Sequence, residues 1–568
     1  MFIPTTKEEV QERGWDALDI IIVSGDTYID SSYNGAAVIG HWLIDNGFRV
    51  GIICQPDLLR SKEIERLGEP KLFWSVTAGC VDSMVANYTP TGKRRKDDDF
   101  TPGGSNDRRP DRACIAYTNL IKKYFRGRPI VLGGIEASLR RTAHYDAWSD
   151  TVRRSILLDS KADIITYGMA ELSNLELAQR LRDGQDITGI RGICYISSER
   201  PKGYLALPSY ERCLDDKDDF IEAFRTFYEN CDPANAKGIF QGHGNRFLVQ
   251  NPPSRLLTTD ELDRIHLSDY EDRVHPYYSK DGIVKAVETI KNSITTHRGC
   301  YGECSFCAIA VHQGRAVVSR SESSIIKEAE RMASRPDFNG ILRDVGGPTA
   351  NMYGIDCTKK STHGACKDRK CLYPKPCPNL PLNHTRQIAL LDKLSSVPGV
   401  KKVFVTSGIR HDMVVFDRAA GRKYVDCIVK DHVSGQLKLA PEHVTKSVLE
   451  LMGKPGPDVL LDFKDMFDES NRLHEKRQFL TYYLMAAHPG CYMDDMRELD
   501  EFVHRELMTN PEQVQIFTPT PSTVSTMIYF TRRDYENTKD IKAEHSMQMK
   551  QKQKEVIISA PRRKDEKT

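Results

Sequence analysis

The chain has 568 residues, with 81 basic against 79 acidic side chains and a formal charge of +2. That length suits two or three domains, and the even balance gives no global field to draw it onto nucleic acid or an anionic membrane. No run of about 18 apolar residues exists that could cross a bilayer as a helix. Fifteen cysteines behind a polar, acidic N-terminus without an export signal predict a cytoplasmic protein that uses thiols or metals, not a disulfide framework.

The first 200 residues alternate strand-like and helix-like runs. LDIIIVSG is an apolar strand that stops at Gly25, NGAAVIGHWLIDNGF has helical spacing, and FRVGIIC is the next strand. PIVLGG and ADIITYG repeat the pattern of strand, glycine, helix. This rhythm predicts a doubly wound α/β sheet with ligand space at the strand ends. A long loop, residues 87–113, interrupts it. There Lys93, Arg94, Arg95 and Lys96 are answered by Asp97, Asp98 and Asp99. It reads either as a self-neutralising solvated loop or as a lid in which Arg108, Arg109 and Arg112 meet an anionic substrate. Residues 201–285 have mixed polarity and no clean alternation, and are expected to be a connector.

Cys300, Cys304 and Cys307 follow in HRGCYGECSFCAIA. Spaced by three residues and then two, they allow one loop to present three thiolates to three irons of a 4Fe–4S cube, leaving the fourth iron open to a ligand. A three-cysteine zinc knuckle is the competing reading. Phe306 stands where an aromatic ring shields a cluster or packs on a flat ligand, and Gly299 and Gly302 let the backbone bend tightly. SITTH before the loop is strand-like. After it, Ser321 and Glu322 open a helix with a hydroxyl cap and an early carboxylate.

From residue 286 to 530 the α/β rhythm resumes, with candidate strands SITTH, NGILRDVGG, KKVFVTSG, GQLKLA, FLTYYLMA and VQIFTPT. An insert at 351–385 brings Cys357, Cys366, Cys371 and Cys377. Four thiols could hold a tetrahedral zinc or an auxiliary cluster, but their gaps fit neither CxxC ribbons nor a ferredoxin run. Reduced thiols pinning a loop is the alternative. His363 and His384 are substitute ligands. Cys54, Cys80, Cys114, Cys194, Cys213, Cys231, Cys427 and Cys491 read as small core residues. Residues 531–568 are polar and are expected to form a mobile tail with at most one helix.

The CxxxCxxC loop with its aromatic resembles the radical S-adenosylmethionine (SAM) superfamily. The longer string HRGCYGECSFCAIAVHQGRAVVSRSESSIIKEAE resembles the YgiQ-type radical SAM proteins, a family whose reaction is unassigned. NPPSRLLTTDELDRIH, DVGGPTANMYG, TSGIRHD, LKLAPEHV and VQIFTPTPSTVSTMIYF extend the match over residues 20–530. The resemblance implies a partial (β/α)6 barrel with Cys300, Cys304 and Cys307 as cluster ligands. It also implies SAM as cosubstrate and a one-electron reductant of flavodoxin or ferredoxin type as partner. Gly346 and Gly347 fall where such enzymes carry Gly-Gly-Glu against the methionine end of SAM; Pro348 replaces the carboxylate, leaving backbone contact. Ser407 is implied at a ribose or carboxylate and Arg410 at an anion, while Lys438 or Glu442 is implied at SAM or substrate. The substrate itself is not legible.

The N-terminal layout resembles the cobalamin-binding domain that precedes many radical SAM barrels, with Gly133, Gly134 and the YGMAE run in comparable places. The Asp-x-His-x-x-Gly loop that supplies an axial histidine is absent from the sequence, which weighs against a corrinoid without closing the case. Beside a radical SAM enzyme, two other readings stand: a corrinoid-dependent methyltransferase or RNA-modifying methylthiotransferase-like enzyme, and a zinc-bound nucleic-acid-binding protein.

Overall fold

The computed structural model describes residues 1–511 and 513–558. The chain divides into two compact units, residues 1–291 with 311–314, and the remainder. No helix among the described residues is long and apolar enough to cross a membrane.

The first unit is built on a nine-stranded sheet. Its strands are β1 (Ile20–Ser24), β2 (Val50–Cys54), β3 (Phe73–Thr77), β4 (Ile130–Gly133), β5 (Ile164–Thr166), β6 (Ile193–Ser197), β7 (Leu205–Leu207), β8 (Ile239–His243) and β9 (Arg246–Gln250). The order is β7-β8-β9-β6-β5-β4-β3-β1-β2. Strands β2, β1, β3, β4 and β5 run parallel, whereas β6 and β9 pair antiparallel with their neighbours. Every residue of β1 is buried. Ile21 and Val23 enter one hydrophobic cluster while Ile20 and Ile22 enter another, because a strand covered on both faces buries both sides of its pleat. Helix α1 (Gly35–Asp45) starts where Asn34 accepts from the backbone N–H groups of Ala36 and Ala37.

Two expectations change here. Residues 201–285 are not a connector: β7, β8 and β9 extend the sheet, and Ile265, Tyr270 and Tyr278 lie in its core. In loop 87–113, the three arginines expected at an anionic substrate are each paired with carboxylates of the chain itself. Buried Arg109 pairs with Asp26 at 2.6 Å and Asp98 at 3.1 Å, and donates to the Ala78 carbonyl at 2.7 Å. Arg112 binds Asp146 through both terminal nitrogens, and Arg108 meets Asp281 at 3.0 Å. The central order β2-β1-β3-β4-β5 puts the topological switch point between β1 and β3. Asp26 and Ala78 follow those two strands, so the loop plugs the crevice with a buried ion-pair network.

The second unit contains six parallel strand positions in chain order. The first is β10 (Ser293–Thr295), and the second is split into β11 (Ile341–Leu342) and β12 (Asp344–Gly346). The others are β13 (Lys402–Val403), β14 (Gln436–Glu442), β15 (Phe479–Ala486) and β16 (Gln513–Ile516). Parallel ladders join β10 to β12, β11 to β13, β14 to β15 and β15 to β16. A parallel bridge between Ile409 and Leu439 carries the third position to the fourth. Among the described residues no ladder joins β10 to β16. Helices α2 (Glu322–Ala333), α3 (Thr385–Ser395), α4 (Gly421–Cys427) and α5 (Pro457–Leu473) cover the strands, with Leu390, Tyr424, Phe463 and Phe467 in the shared core. The tail is likewise corrected over 547–558. Helix α6 (Met547–Ile558) buries Ile557 in the same core, and Lys550 donates to the Tyr529 hydroxyl at 2.8 Å. The rest of the expected tail, 559–568, lies outside the described residues.

Candidate cluster and cosubstrate site

The loop after β10 is forced into shape by its backbone. Gly299 has φ +84°, and a Cβ there would sit 1.9 Å from the Ala316 carbonyl oxygen, so no side chain fits. Gly302 donates to Cys300 Sγ at 3.3 Å. A Cβ built on Gly302 would lie 3.3 Å from Cys300 Sγ, 3.6 Å from Cys304 Sγ and 3.1 Å from Arg410 Nη1. Two of the three thiols therefore converge on this glycine, and the Cys307 N–H closes the turn onto the Cys304 carbonyl at 3.0 Å. The loop's thiols are not all within 4.8 Å of one another; among the described residues that spacing is met by a different group. Sulfurs sharing one tetrahedral zinc stand about 3.8 Å apart, as Zn–S bonds of about 2.3 Å require. As placed, the three sulfurs do not match the spacing of one tetrahedral ion. Burial, then the neighbouring Cys304 and Cys300, push the Cys307 thiol up to about 12, and Cys300 is raised by burial and by Cys304. Three thiolates become stable together only around positive charge.

Arg410 supplies part of that charge. It is buried, pairs with Asp412 through Nε at 2.8 Å, and donates from Nη1 to Cys304 Sγ at 3.4 Å. Burial works against its charge, but Asp412 outweighs that and raises its pKa. The anion expected at Arg410 is thus a carboxylate and a cysteine sulfur of the chain itself. Ser407 is held in place by the chain: its hydroxyl donates to Asp344, which accepts from the Thr406 and Ser407 N–H groups at 2.8 and 3.0 Å. Asp344 fixes this strand end, yet nothing in the sequence marks it out.

Gly346 and Gly347 lie where β12 ends. A Cβ on Gly347 would meet the His297 ring at 2.6 Å, and one on Gly346 would stand 3.0 Å from Ala350 and 3.7 Å from the Ser407 side chain. Both glycines are thus closely packed by atoms of the chain itself. Phe306 meets His488 edge-on at 6.3 Å and lies 5.9 Å from Lys454 Nζ. Lys454 donates to the Ala440 carbonyl at 2.7 Å and pairs with Glu442 at 3.7 Å. Burial raises Glu442, with Lys454 opposing. Lys438 is on the same strand, β14, where its carbonyl accepts from Ile409 at 3.3 Å. Lys454 and His488 carry no motif; only proximity in the fold discloses them.

The insert braces the cysteine loop. Lys360 binds Glu303 at 2.7 Å and Cys371 Sγ at 3.3 Å, Tyr301 donates to the Ile355 carbonyl, and Lys370 reaches Ser305 at 3.2 Å. Cys371 and Cys377 are buried in one apolar cluster with Tyr301, and Cys357 packs against it; Cys366 is partly exposed. No three of these four thiols come within 4.8 Å of one another.

Comparison with known proteins defines the class. The family profile "Radical SAM N-terminal" matches residues 2–293. A UPF0313 protein of Fusobacterium nucleatum is 54% identical over 558 residues, 98% of each chain. One from Thermotoga maritima is 47% identical over 561 residues, again 98% of each. The chain therefore belongs to the UPF0313 family, the YgiQ-type radical SAM proteins. Among solved structures, the radical SAM methyltransferase TsrM from Kitasatospora setae, with cobalamin and a [4Fe-4S] cluster bound, is 15% identical at a TM-score of 0.48, covering 89% of this chain and 77% of that one. The cobalamin-dependent enzyme OxsB is 11% identical at 0.49, covering 92% and 57%.

Proposed function

We propose that this chain is a radical SAM enzyme that holds a 4Fe–4S cluster through Cys300, Cys304 and Cys307. The observation that carries the reading is the loop itself, in which the Cys300 and Cys304 sulfurs converge on Gly302 and Arg410 donates to Cys304 Sγ. Bound there and reduced, such a cluster would supply the one electron needed to cleave a carbon–sulfur bond of SAM and so start hydrogen abstraction from a substrate. The protein's share is positional. Arg410 offsets thiolate charge, and Phe306 with His488 keeps water from the loop. The backbone at Gly346 and Gly347, with Ser407 oriented by Asp344, offers polar groups to the amino-acid and ribose portions of SAM. Lys438 is a further candidate contact. A flavodoxin- or ferredoxin-type donor in the cytoplasm is the expected electron source.

The chain's own residues weigh against a corrinoid. The crevice between β1 and β3 is filled by Asp26, Arg109 and Asp98, and removing one member of such a buried set costs about 3–5 kcal/mol. For a zinc-bound nucleic-acid module the insert offers Cys371 and Cys377 in an apolar cluster with Cys357 against it, and no three of its thiols lie within 4.8 Å of one another. The test is anaerobic reconstitution with iron and sulfide, then dithionite and SAM. Wild-type protein is expected to release 5′-deoxyadenosine and Cys304→Ala none; equal release by both ends the assignment.

A further inference from the structure

A second group of ligand-type side chains lies on the helical layer of the second unit, apart from the cysteine loop and the insert; it includes Cys427, which the sequence presents as a small core residue but which is only half-buried. Helix α3 carries Asp392. Helix α4 ends at Cys427 and passes directly into a π-helical turn, Ile428–His432. Backbone bonds in a π turn span five residues, so Cys427 and His432, five apart, face the same way. One ligand atom from each of Asp392, Cys427 and His432 lies within 4.8 Å of the other two. Such turns are rare and cluster at functional sites.

The second coordination layer is also in place. His432 is buried, and its Nδ1 is 2.8 Å from the Val403 carbonyl. With Nδ1–H donating to that carbonyl, Nε2 carries the lone pair, the arrangement metal-bound histidines usually show. Cys427 is half-buried and Asp392 is exposed, so the group opens to solvent on the Asp392 side. One thiolate, one imidazole and one carboxylate make a donor set of intermediate softness, suited to zinc and similar divalent ions and poorly suited to magnesium or calcium.

We propose that Asp392, Cys427 and His432 form a mononuclear site for a zinc-like divalent cation, with water in the fourth position. Binding transfers the Cys427 thiol proton to solvent and leaves the group with a net charge near zero. The cation would tie α3 to the π turn. The His432 carbonyl accepts from Val405 at 2.9 Å, on the run leading to Ser407 and Arg410, and β14 begins four residues after His432. The site therefore pins two adjacent strand positions from outside the barrel.

The test loads cluster-reconstituted protein with zinc chloride, removes excess by gel filtration and measures zinc and iron together by mass spectrometry. Wild type is expected to keep one more zinc per chain than Cys427→Ser or His432→Gln, at equal iron. Asp392→Asn, an exposed change that leaves the core alone, should weaken zinc about tenfold or more in competition with a chromogenic chelator. Cys371→Ser, in the insert, should keep the zinc. Equal zinc in wild type, Cys427→Ser and Asp392→Asn overturns the site, as does zinc lost only from Cys371→Ser. If Cys427→Ser loses its far-ultraviolet dichroism, the chelator competition with Asp392→Asn decides the matter: tenfold weaker zinc upholds the site and unchanged affinity overturns it.

Discussion

Gly299 is the residue on which the cysteine loop turns. Its left-handed backbone and the 1.9 Å approach to the Ala316 carbonyl leave no room for a methyl group, and the obstacle is backbone, which cannot rotate aside. Gly299→Ala is therefore expected to yield folded protein that takes up little iron on reconstitution, measured as iron per chain and absorbance near 400 nm. Iron uptake equal to wild type would show that the loop tolerates another path. Arg410 shows why charge at a site must be read with its neighbours. The sequence shows a cation beside a strand end, whereas the fold commits it to Asp412 and Cys304 before any ligand arrives.

At the scale of elements, local signals are legible wherever chemistry within a few residues decides the outcome. Ser321 has the features of a helix cap, and its hydroxyl accepts from the Ser324 N–H at the start of α2. Ser321→Ala should cost about 1 kcal/mol in urea unfolding and Ser321→Asp much less; equal loss in both would deny the cap its role. The six barrel strands and four of the five parallel strands of the first sheet are likewise legible; in the sheet this is because strands covered on both faces are apolar runs, while FWSVT, β3, is broken by a serine and stays unread. The hairpin of β8 and β9 is not. Its burial alternates along Ile239–His243, and IFQGH lacks the long apolar run that marks the other strands. The packing of the helix at 547–558 escapes notice for a related reason: few of its residues are buried, so its polar surface hides a packed face. In the site, the cysteine triplet is plain from spacing, but Asp344, Lys454 and His488 reach it from separate strands and loops.

Across the whole molecule, buried histidines set the response to acid. His297, His411 and His488 are each held down to about 4, and His443 to about 3, by burial. In the unfolded chain the same groups titrate near 6.5. Protons therefore bind the unfolded state more readily, and stability is fully present above pH 6.5 and lost as pH falls toward 4. Urea midpoints of the cluster-free protein should fall steadily between pH 7 and pH 5; a flat profile would mean these rings are solvated. The barrel is also uneven. Ladders at β10, β12 and β13 hold two or three residues, whereas β14 and β15 run for seven and eight. Short ladders come apart at lower free energy than long ones. Deuterium should accordingly enter the amides of 293–295 and 402–403 well before those of 480–486. Opening confined to those short ladders would let inorganic iron and sulfide reach the cysteine loop while β14 and β15 stay paired, so assembly of the proposed cluster would not require the finished barrel to melt.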